Sequence, residues 1–557
     1  MGKRISLRAL CALLLLVGLL ASSGSIAAAG PPQQGGFFAL SGADAAAYQL
    51  PPDTLQIETF AANDLVFTRY QQMAGPHQAR VLGAEITIAT LADGQRTLVV
   101  GSYFPGVQPS NGVAITPDQA KASARGRVGS GDETSTLMID PDTRRHLYQV
   151  ETRRETERAF TLVDAQTGEV VDSYSAIMED HGTPFASCNT LTPLPPCGLG
   201  VEYDSGSPDD VKNLSGLTFR TDTGHEARSP DGRQIVFSQF LSTIASDDDD
   251  AWTTLGDVAS SQQAITDLIA YTGATDDALI SLVGFDFPAE RGGPFQAVAH
   301  YGTNYNNAFW NGSAAFFGDG DQISYRELTP LDVVAHEFAH GVTDLTSDLV
   351  YRDQSGALNE SFSDVVGNVA EFWAEPNGRE PAVALAPDWL IGEDLSLVTD
   401  VAPGFRNMAD PEEDGDPDHF SELLTGRTDN GWVHVNSGIP NHAFYLLVNG
   451  GQNASCVSPP NHNAGHCSDT TDTQDNGVTV AALGLDAAFD IWFTGFSALS
   501  SGAKMCDAKA ATVAAAGLPD SPAATSTRNA WLAVGVTDKA CTVTTKGNKG
   551  GGGPKPR

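Results

Sequence analysis

The residues Thr329-Pro330-Leu331-Asp332-Val333-Val334-Ala335-His336-Glu337-Phe338-Ala339-His340, followed by Asn359-Glu360-Ser361-Phe362-Ser363-Asp364 with Glu360 twenty positions after His340, decide the reading of this chain. Thr329 can cap a helix, Pro330 suits a first turn and Asp332 favours the positive N-terminal end, so a helix is expected from Leu331 to Thr346. His336 and His340 stand one turn apart on one face, and both imidazoles can meet a single ion. Glu337 precedes His340 by three and leans to the same side, within reach of a water held there.

A pattern of five residues is short, so its surroundings must support it. Glu360 falls in a second expected helix, Leu358 to Trp373, where Glu360, Asp364 and Glu371 share a face and Val365, Val366, Val369, Phe372 and Trp373 supply apolar packing. Carboxylates in such a row repel one another unless cations lie opposite. Two His and one Glu around a zinc ion leave a fourth position open, as hydrolysis requires. Asp364, one turn beyond Glu360, is placed to hydrogen-bond a ligand His and fix its tautomer. For Glu371 alone, a solvated acidic stripe is an equal reading.

Working outward, the 557 residues exceed one typical domain several-fold, and 41% hydrophobic with 18% charged residues is the composition of a folded protein. A net charge of −37 argues against nucleic acid or an anionic membrane as partner and favours cations. Lys3, Arg4 and Arg8 precede an apolar run from about Ala9 to Leu20 and small residues up to Ala29, the parts of a secretory signal peptide. That run is too short to span a bilayer, so an exported protein without a membrane anchor is expected. Of seven Cys, Cys11 lies in this leader. Six remain, and pairing sequence neighbours gives Cys188 with Cys197, Cys456 with Cys467 and Cys506 with Cys541, one of fifteen possible connectivities.

From Gly30 to His181 the chain reads as short strands, among them Ala84 to Ala92, Thr97 to Tyr103, His146 to Thr152 and Arg158 to Asp164, in a small α+β region without a metal-ligand cluster. A Pro, Thr and Cys-rich boundary follows between Pro184 and Gly200. Beyond it come strands at Gln234 to Phe240 and Gln296 to Tyr301 and a helix near Ala264 to Tyr271. The acidic run Asp247 to Asp250 reads as a solvated loop rather than a calcium loop. After Pro330 long helices dominate, with further segments at His442 to Asn449 and Leu485 to Leu499. The Gly-rich, basic end is read as a flexible tail.

The segment His336 to Asp364 resembles the thermolysin-like neutral metallopeptidases, with HExxH, a Glu in an Asn-Glu-x-x-x-Asp context and a Tyr between. The resemblance extends to Tyr305-Asn306-Asn307-Ala308-Phe309-Trp310-Asn311-Gly312, to Gly318-Asp319-Gly320-Asp321, to Asp416-Pro417-Asp418-His419 and to Asp429-Asn430-Gly431-Trp432-Val433-His434-Val435-Asn436-Ser437-Gly438. It implies an α+β, two-lobed catalytic unit with a zinc helix between a β-rich lobe at 182–328 and an α-helical lobe at 329–537. A leader at 1–29 and an α+β propeptide of two small modules at 30–181 would precede it, and a tail at 538–557 would follow. Arg69-Tyr70-Gln71-Gln72 match a strand of such propeptides.

The resemblance implies roles residue by residue. His336, His340 and Glu360 would hold one catalytic zinc, and Glu337 would take a proton from the attacking water and pass it to the leaving amine. Tyr351 and His434 would stabilise the oxyanion, with Asp429 orienting His434. Asn307 and Ala308 would pair with substrate backbone, and Arg406 would bind a substrate carbonyl. Val333, Ile391 and Phe405 would line an apolar pocket, giving cleavage on the amino side of bulky hydrophobic residues. Asp332, Glu371, Asp388 and Glu393 would hold calcium. Leu390 stands where two-calcium members carry another Glu, so one ion is expected, and the Leu390 carbonyl could still serve it.

The expected protein is therefore a secreted monomeric endopeptidase made as an inactive precursor, acting on proteins and peptides and inhibited by its own propeptide. A self-cut is expected between about residues 178 and 200. An aminopeptidase shares HExxH and the Glu ligand but needs a group for the free amine. A degenerate binding module would have lost a catalytic residue, and none is lost. His462 and His466 read as solvated loop residues.

Overall fold

The computed structural model describes residues 35–179, 219–221, 224–229, 232–247, 263–377, 388–397, 404–453 and 476–544. The leader, Asp248 to Asp250, His462, His466 and the first two expected Cys pairs lie outside them.

The N-terminal region is built on one nine-stranded sheet. Its strands are β1 (Gly36–Ser41), β2 (Thr54–Ala62), β3 (Leu65–Ala74), β4 (Ala79–Leu91), β5 (Arg96–Tyr103), β6 (Asp132–Ile139), β7 (His146–Arg154), β8 (Glu157–Asp164) and β9 (Val170–Ser175). The order β1-β5-β4-β6-β7-β8-β9 joins what the sequence suggests are two modules, because the long β4 pairs with β3 along its length, with β5 over its second half and, in parallel, with β6 near its start. Helix α1 (Gly42–Ala47) follows β1. Helix α2 (Pro117–Val128) is started by a reciprocal cap between Thr116 and Gln119 and covers the β6–β8 face with Ala120 and Ala124.

The next strand, β10 (Met178–Glu179), leaves that sheet. It joins a second sheet of order β10-β16-β17-β15-β13, formed with β13 (Gln234–Ser238), β15 (Phe295–Ala299), β16 (Ala308–Trp310) and β17 (Ala315–Phe317). A small sheet comprises β11 (Phe219–Thr221), β12 (Gly224–Glu226) and β14 (Ser246–Asp247). Helices α3 (Gln263–Val283) and α4 (Phe287–Arg291) complete this lobe.

The second half is helical as expected: α5 (Leu331–Leu345), α6 (Asp353–Ala374), α7 (Asp429–Asn436), α8 (Gly438–Asn449), α9 (Leu485–Ser497), α10 (Met505–Ala515), α11 (Pro522–Ala533) and α12 (Asp538–Thr544). Among its described residues β18 (Leu390–Ile391) pairs with β19 (Arg406–Asn407), and Gly451 forms an isolated bridge with Val480. Two expectations change. The Thr329 hydroxyl does not cap α5 but donates to Asp267, 3.2 Å away, because Pro330 takes the cap position. Residues 538–544 are helix rather than tail, because Cys506–Cys541 forms and Lys509 binds Asp538 at 2.9 Å. Among the described residues no helix is long and apolar enough to cross a membrane.

One hydrophobic core crosses the boundary between the two halves. Phe60, Leu65, Phe67, Leu98 and Val100 of the first sheet share it with Val283, Phe493 and Phe496. Asn63 and Asp64 take positive φ in the β2–β3 hairpin turn, and the Asn63 amide reaches between α3 and α9 to Thr494 Oγ1 at 2.7 Å. Glu85 on β4 accepts from the Ser501 amide (3.2 Å) and hydroxyl (3.1 Å), while Ser501 O accepts from Val350 N, beside Tyr351.

Candidate active site

Helix α5 is buried from Leu331 to Thr343, which is why its sequence is apolar except where chemistry is placed. It packs against α6, where His336 and His340 meet Glu360, and these three and Glu337 are all at 0% exposure. His336 Nε2 lies 3.5 Å from Glu360 Oε2, and His340 Nε2 lies 3.6 Å from Glu360 Oε1. The two imidazoles are nearly perpendicular, 4.7 Å apart at their centres.

Their outer nitrogens are already used. His336 Nδ1 faces Asp364 Oδ1 at 2.9 Å, and His340 Nδ1 faces Asn359 Oδ1 at 2.9 Å and Ser363 Oγ at 3.1 Å. Asp364 also accepts from Arg406 Nε (2.8 Å) and Nη2 (2.6 Å) and from Asn441 Nδ2 (2.7 Å). Both Nε2 atoms and Glu360 Oε2 are buried without a hydrogen-bond partner. Lone pairs left bare and aimed at one point in a dry pocket are what a metal ion would satisfy, and two imidazoles with one carboxylate fit zinc.

The local charges agree. Burial pushes His340 down to about 3, keeping it the neutral imidazole a metal needs. Burial also opposes charge on His336, but its hydrogen bond to Asp364 and the Glu360 carboxylate nearby raise it well above its ordinary value. Burial would raise Glu360, yet His434, His336 and His340 hold it at about 2. Asp364 is likewise lowered, chiefly by Arg406 against burial.

Tyr351 and His434 close the pocket. The Tyr351 hydroxyl donates to Glu360 Oε1 and lies 3.0 Å from His434 Nε2. Asp429 accepts from the His434 backbone at 3.0 Å and faces its Nδ1 at 2.6 Å. A regular helix cannot fold residue i back onto i+5 in this way. Here Asp429, Asn430, Gly431 and Trp432 all have positive φ, between 46° and 104°, forming a left-handed turn before α7 becomes regular. Against burial, the Glu360 and Asp429 carboxylates raise His434 to about 9.

Arg406 stands against Asp364, and Asn307 turns its side-chain carbonyl onto the Ala308 amide at 3.0 Å. Val333 and Ile391 are fully buried, with Phe405 packed over Gly392. The β16 edge next to Ala308 carries β10, with Met178 opposite Trp310 and Glu179 opposite Phe309 in antiparallel register.

The calcium candidates also gather. Asp332 Oδ2 accepts from Gly392 N, and Asp388 Oδ1 accepts from Leu390 N at 2.7 Å. Glu393 is raised well above its ordinary value by burial and then by Asp332, Asp388 and Asp394, and its Oε2 is buried without a hydrogen-bond partner. Carboxylate atoms of Glu371, Glu393 and Asp394 lie within 4.8 Å of one another. Sequence reasoning missed Asp394, which a short 3₁₀ turn at Glu393–Leu395 brings alongside its neighbour. The Leu390 carbonyl accepts from Asn368 at 2.8 Å.

Two histidines and a glutamate around one point, with a second glutamate fully buried next to the first histidine in the sequence, make the donor set of a mononuclear metallohydrolase. Residues 209–344 match the thermolysin metallopeptidase catalytic domain and residues 347–536 the thermolysin metallopeptidase alpha-helical domain. The chain is 36% identical over 434 residues to the bacillolysin of Bacillus cereus, covering 71% of this chain and 72% of that one. It is 33% identical over 396 residues to the thermolysin of Alicyclobacillus acidocaldarius subsp. acidocaldarius, covering 67% and 69%. Among solved structures, the precursor of protealysin from Serratia proteamaculans is 28% identical with a TM-score of 0.40, covering 60% of this chain and 96% of that chain. This protein belongs to the thermolysin family of metallopeptidases, and is a zinc metalloendopeptidase in consequence.

Proposed function

We propose that His336, His340 and Glu360 hold the zinc ion and that Glu337 is the general base. The observation that carries this is the pair of unpartnered, convergent Nε2 atoms beside a buried glutamate whose carboxylate has the same destination. Zinc, when bound, supplies Lewis acidity that polarises a substrate carbonyl and eases the ionisation of water. Glu337 takes the proton of the attacking water and returns it to the leaving amine. Tyr351 and His434 donate to the developing oxyanion, each worth about 10²–10³ in kcat, with Asp429 fixing the His434 ring. Asp364 fixes His336 and is itself held by Arg406, which also binds a substrate carbonyl. Asn307 and Ala308 bind the substrate as an added strand, and Val333, Ile391 and Phe405 favour cleavage before a bulky hydrophobic residue.

In the same reading, residues 30–181 are a propeptide that inhibits the enzyme in cis. What supports this is β10, which lies on the edge where a substrate strand would bind. The leader at 1–29 directs secretion, the mature enzyme is a monomer without a membrane anchor, and one calcium ion sits among Asp332, Glu371, Asp388, Glu393 and Asp394.

The test is hydrolysis of casein and of an end-blocked peptide by the processed protein, before and after a zinc chelator, with zinc restored and Glu337→Ala alongside. Activity that chelation removes, zinc returns and the variant lacks while still binding zinc is the expected result. A Glu337→Ala protein that cleaves casein as well as the parent would overturn the assignment. Glu337→Ala precursor expressed alone is expected to remain uncut, and its normal processing would show that another protease performs the step.

A further inference from the structure

Beside Tyr351 a cavity of about 460 Å³ lies between the N-terminal sheet and the catalytic lobe. Its catalytic wall carries Val350, Arg352, Leu424, Gly431 and Asn436, the last two flanking His434, and also the exposed Lys504. Two cations on one wall are unusual in a chain of net charge −37. What lies against Arg352 here is a segment of the chain itself. Asp172 forms an ion pair with Arg352, and the Tyr174 ring lies 5.7 Å from the same guanidinium. Residues two apart on a strand point to one side, so β9 presents the acid and the aromatic together to this wall. Three residues after β9 the chain enters β10 on the cleft edge.

We propose that this wall is an extended binding surface of the mature enzyme for substrate chain upstream of the bond being cut, selecting an acidic side chain followed two residues later by an aromatic one. The proposal rests on the endopeptidase reading and on release of the propeptide, after which the ion-pair partner left to Arg352 among the described residues is its neighbour Asp353, at 3.4 Å. Asp172 and Tyr174 then act in the precursor as a tethered stand-in for such a substrate. Continuity with β10 says that a peptide lying in the cleft has its upstream residues at this wall, and charge complementarity says which residues they are.

The experiment uses end-blocked peptides made of the Val170–Glu179 segment followed by a cleavable Gly-Leu-Ala core, with kcat/KM read at the Gly–Leu bond. Peptides carrying Asp172→Asn, and a truncated peptide beginning at Ala176, are compared on the processed enzyme and on its Arg352→Gln variant. On the parent enzyme, Asp172→Asn in the peptide is expected to lower kcat/KM about two- to fivefold, the range of an exposed ion pair. That ratio should fall to one on Arg352→Gln and shrink in 1 M salt, where screening is nearly complete. Equal rates for the Asp and Asn peptides on the parent enzyme, or an unchanged ratio on Arg352→Gln, would overturn the proposal. Failure of the zinc-loaded, processed enzyme to cut even the truncated peptide would sink the endopeptidase reading and this proposal with it.

Discussion

Asp364 accepts hydrogen bonds from His336, Arg406 and Asn441 at once, from three separate stretches of chain. Replacing it with Asn removes the carboxylate against which Arg406 is buried and unfixes the His336 tautomer. Asp364→Asn is expected to weaken zinc binding 10- to 100-fold, measured by competition with a chromogenic chelator. Thermal unfolding should show a loss of about 3–5 kcal/mol. Gly431 is the second sensitive position. Its φ is +104°, and a Cβ there would lie 2.4 Å from Asp353 Oδ1 and 2.9 Å from Asp353 Cα. Gly431→Ala should therefore displace the turn that aims Asp429 at His434, lowering kcat by about 10²–10³ while zinc content holds. His336, Glu337, His340, Glu360 and Asp364 are legible in the sequence because helical spacing fixes which residues share a face. Asn441 and Asp394 are not, since the first reaches the site from a distant helix and the second depends on a turn no periodicity announces.

The helices show the same division one level up. Those bearing the zinc site read directly from apolar spacing, and α6 even begins five residues before its apolar stripe, at Asp353. By contrast, β10 is two residues long and defined wholly by its partner, so nothing local marks it. The acidic cluster joining α5, α6 and the segment around β18 supplies a pH prediction. Glu393 is raised by burial and then by its acidic neighbours, so without calcium the folded state holds a proton that the unfolded chain releases. Stability from this group is present at acid pH and lost as pH rises from the ordinary carboxylate range through its raised value. Calcium should cancel the repulsion. The gain in melting temperature on adding calcium to calcium-depleted protein should then be larger at pH 8 than at pH 5.5, by calorimetry.

At the scale of the molecule, the two halves share one core, and the Asn63 turn is anchored between α3 and α9. Neither is visible in a reading that treats residues 30–181 as separate modules, because burial across a boundary leaves the same apolar alternation as burial within a domain. A chain from residue 182 onward, refolded alone, should regain little peptidase activity. Adding the 30–181 segment as a separate chain should restore it, and equal recovery with and without the segment would show that the catalytic half folds unaided. If residues 30–181 are removed as proposed, such an arrangement would give the processed enzyme a direction in time. With the partner that completed its core digested, the equilibrium between folded and unfolded forms would no longer govern its survival. Its lifetime would be the inverse of an unfolding rate, and each molecule that opened would be lost for good.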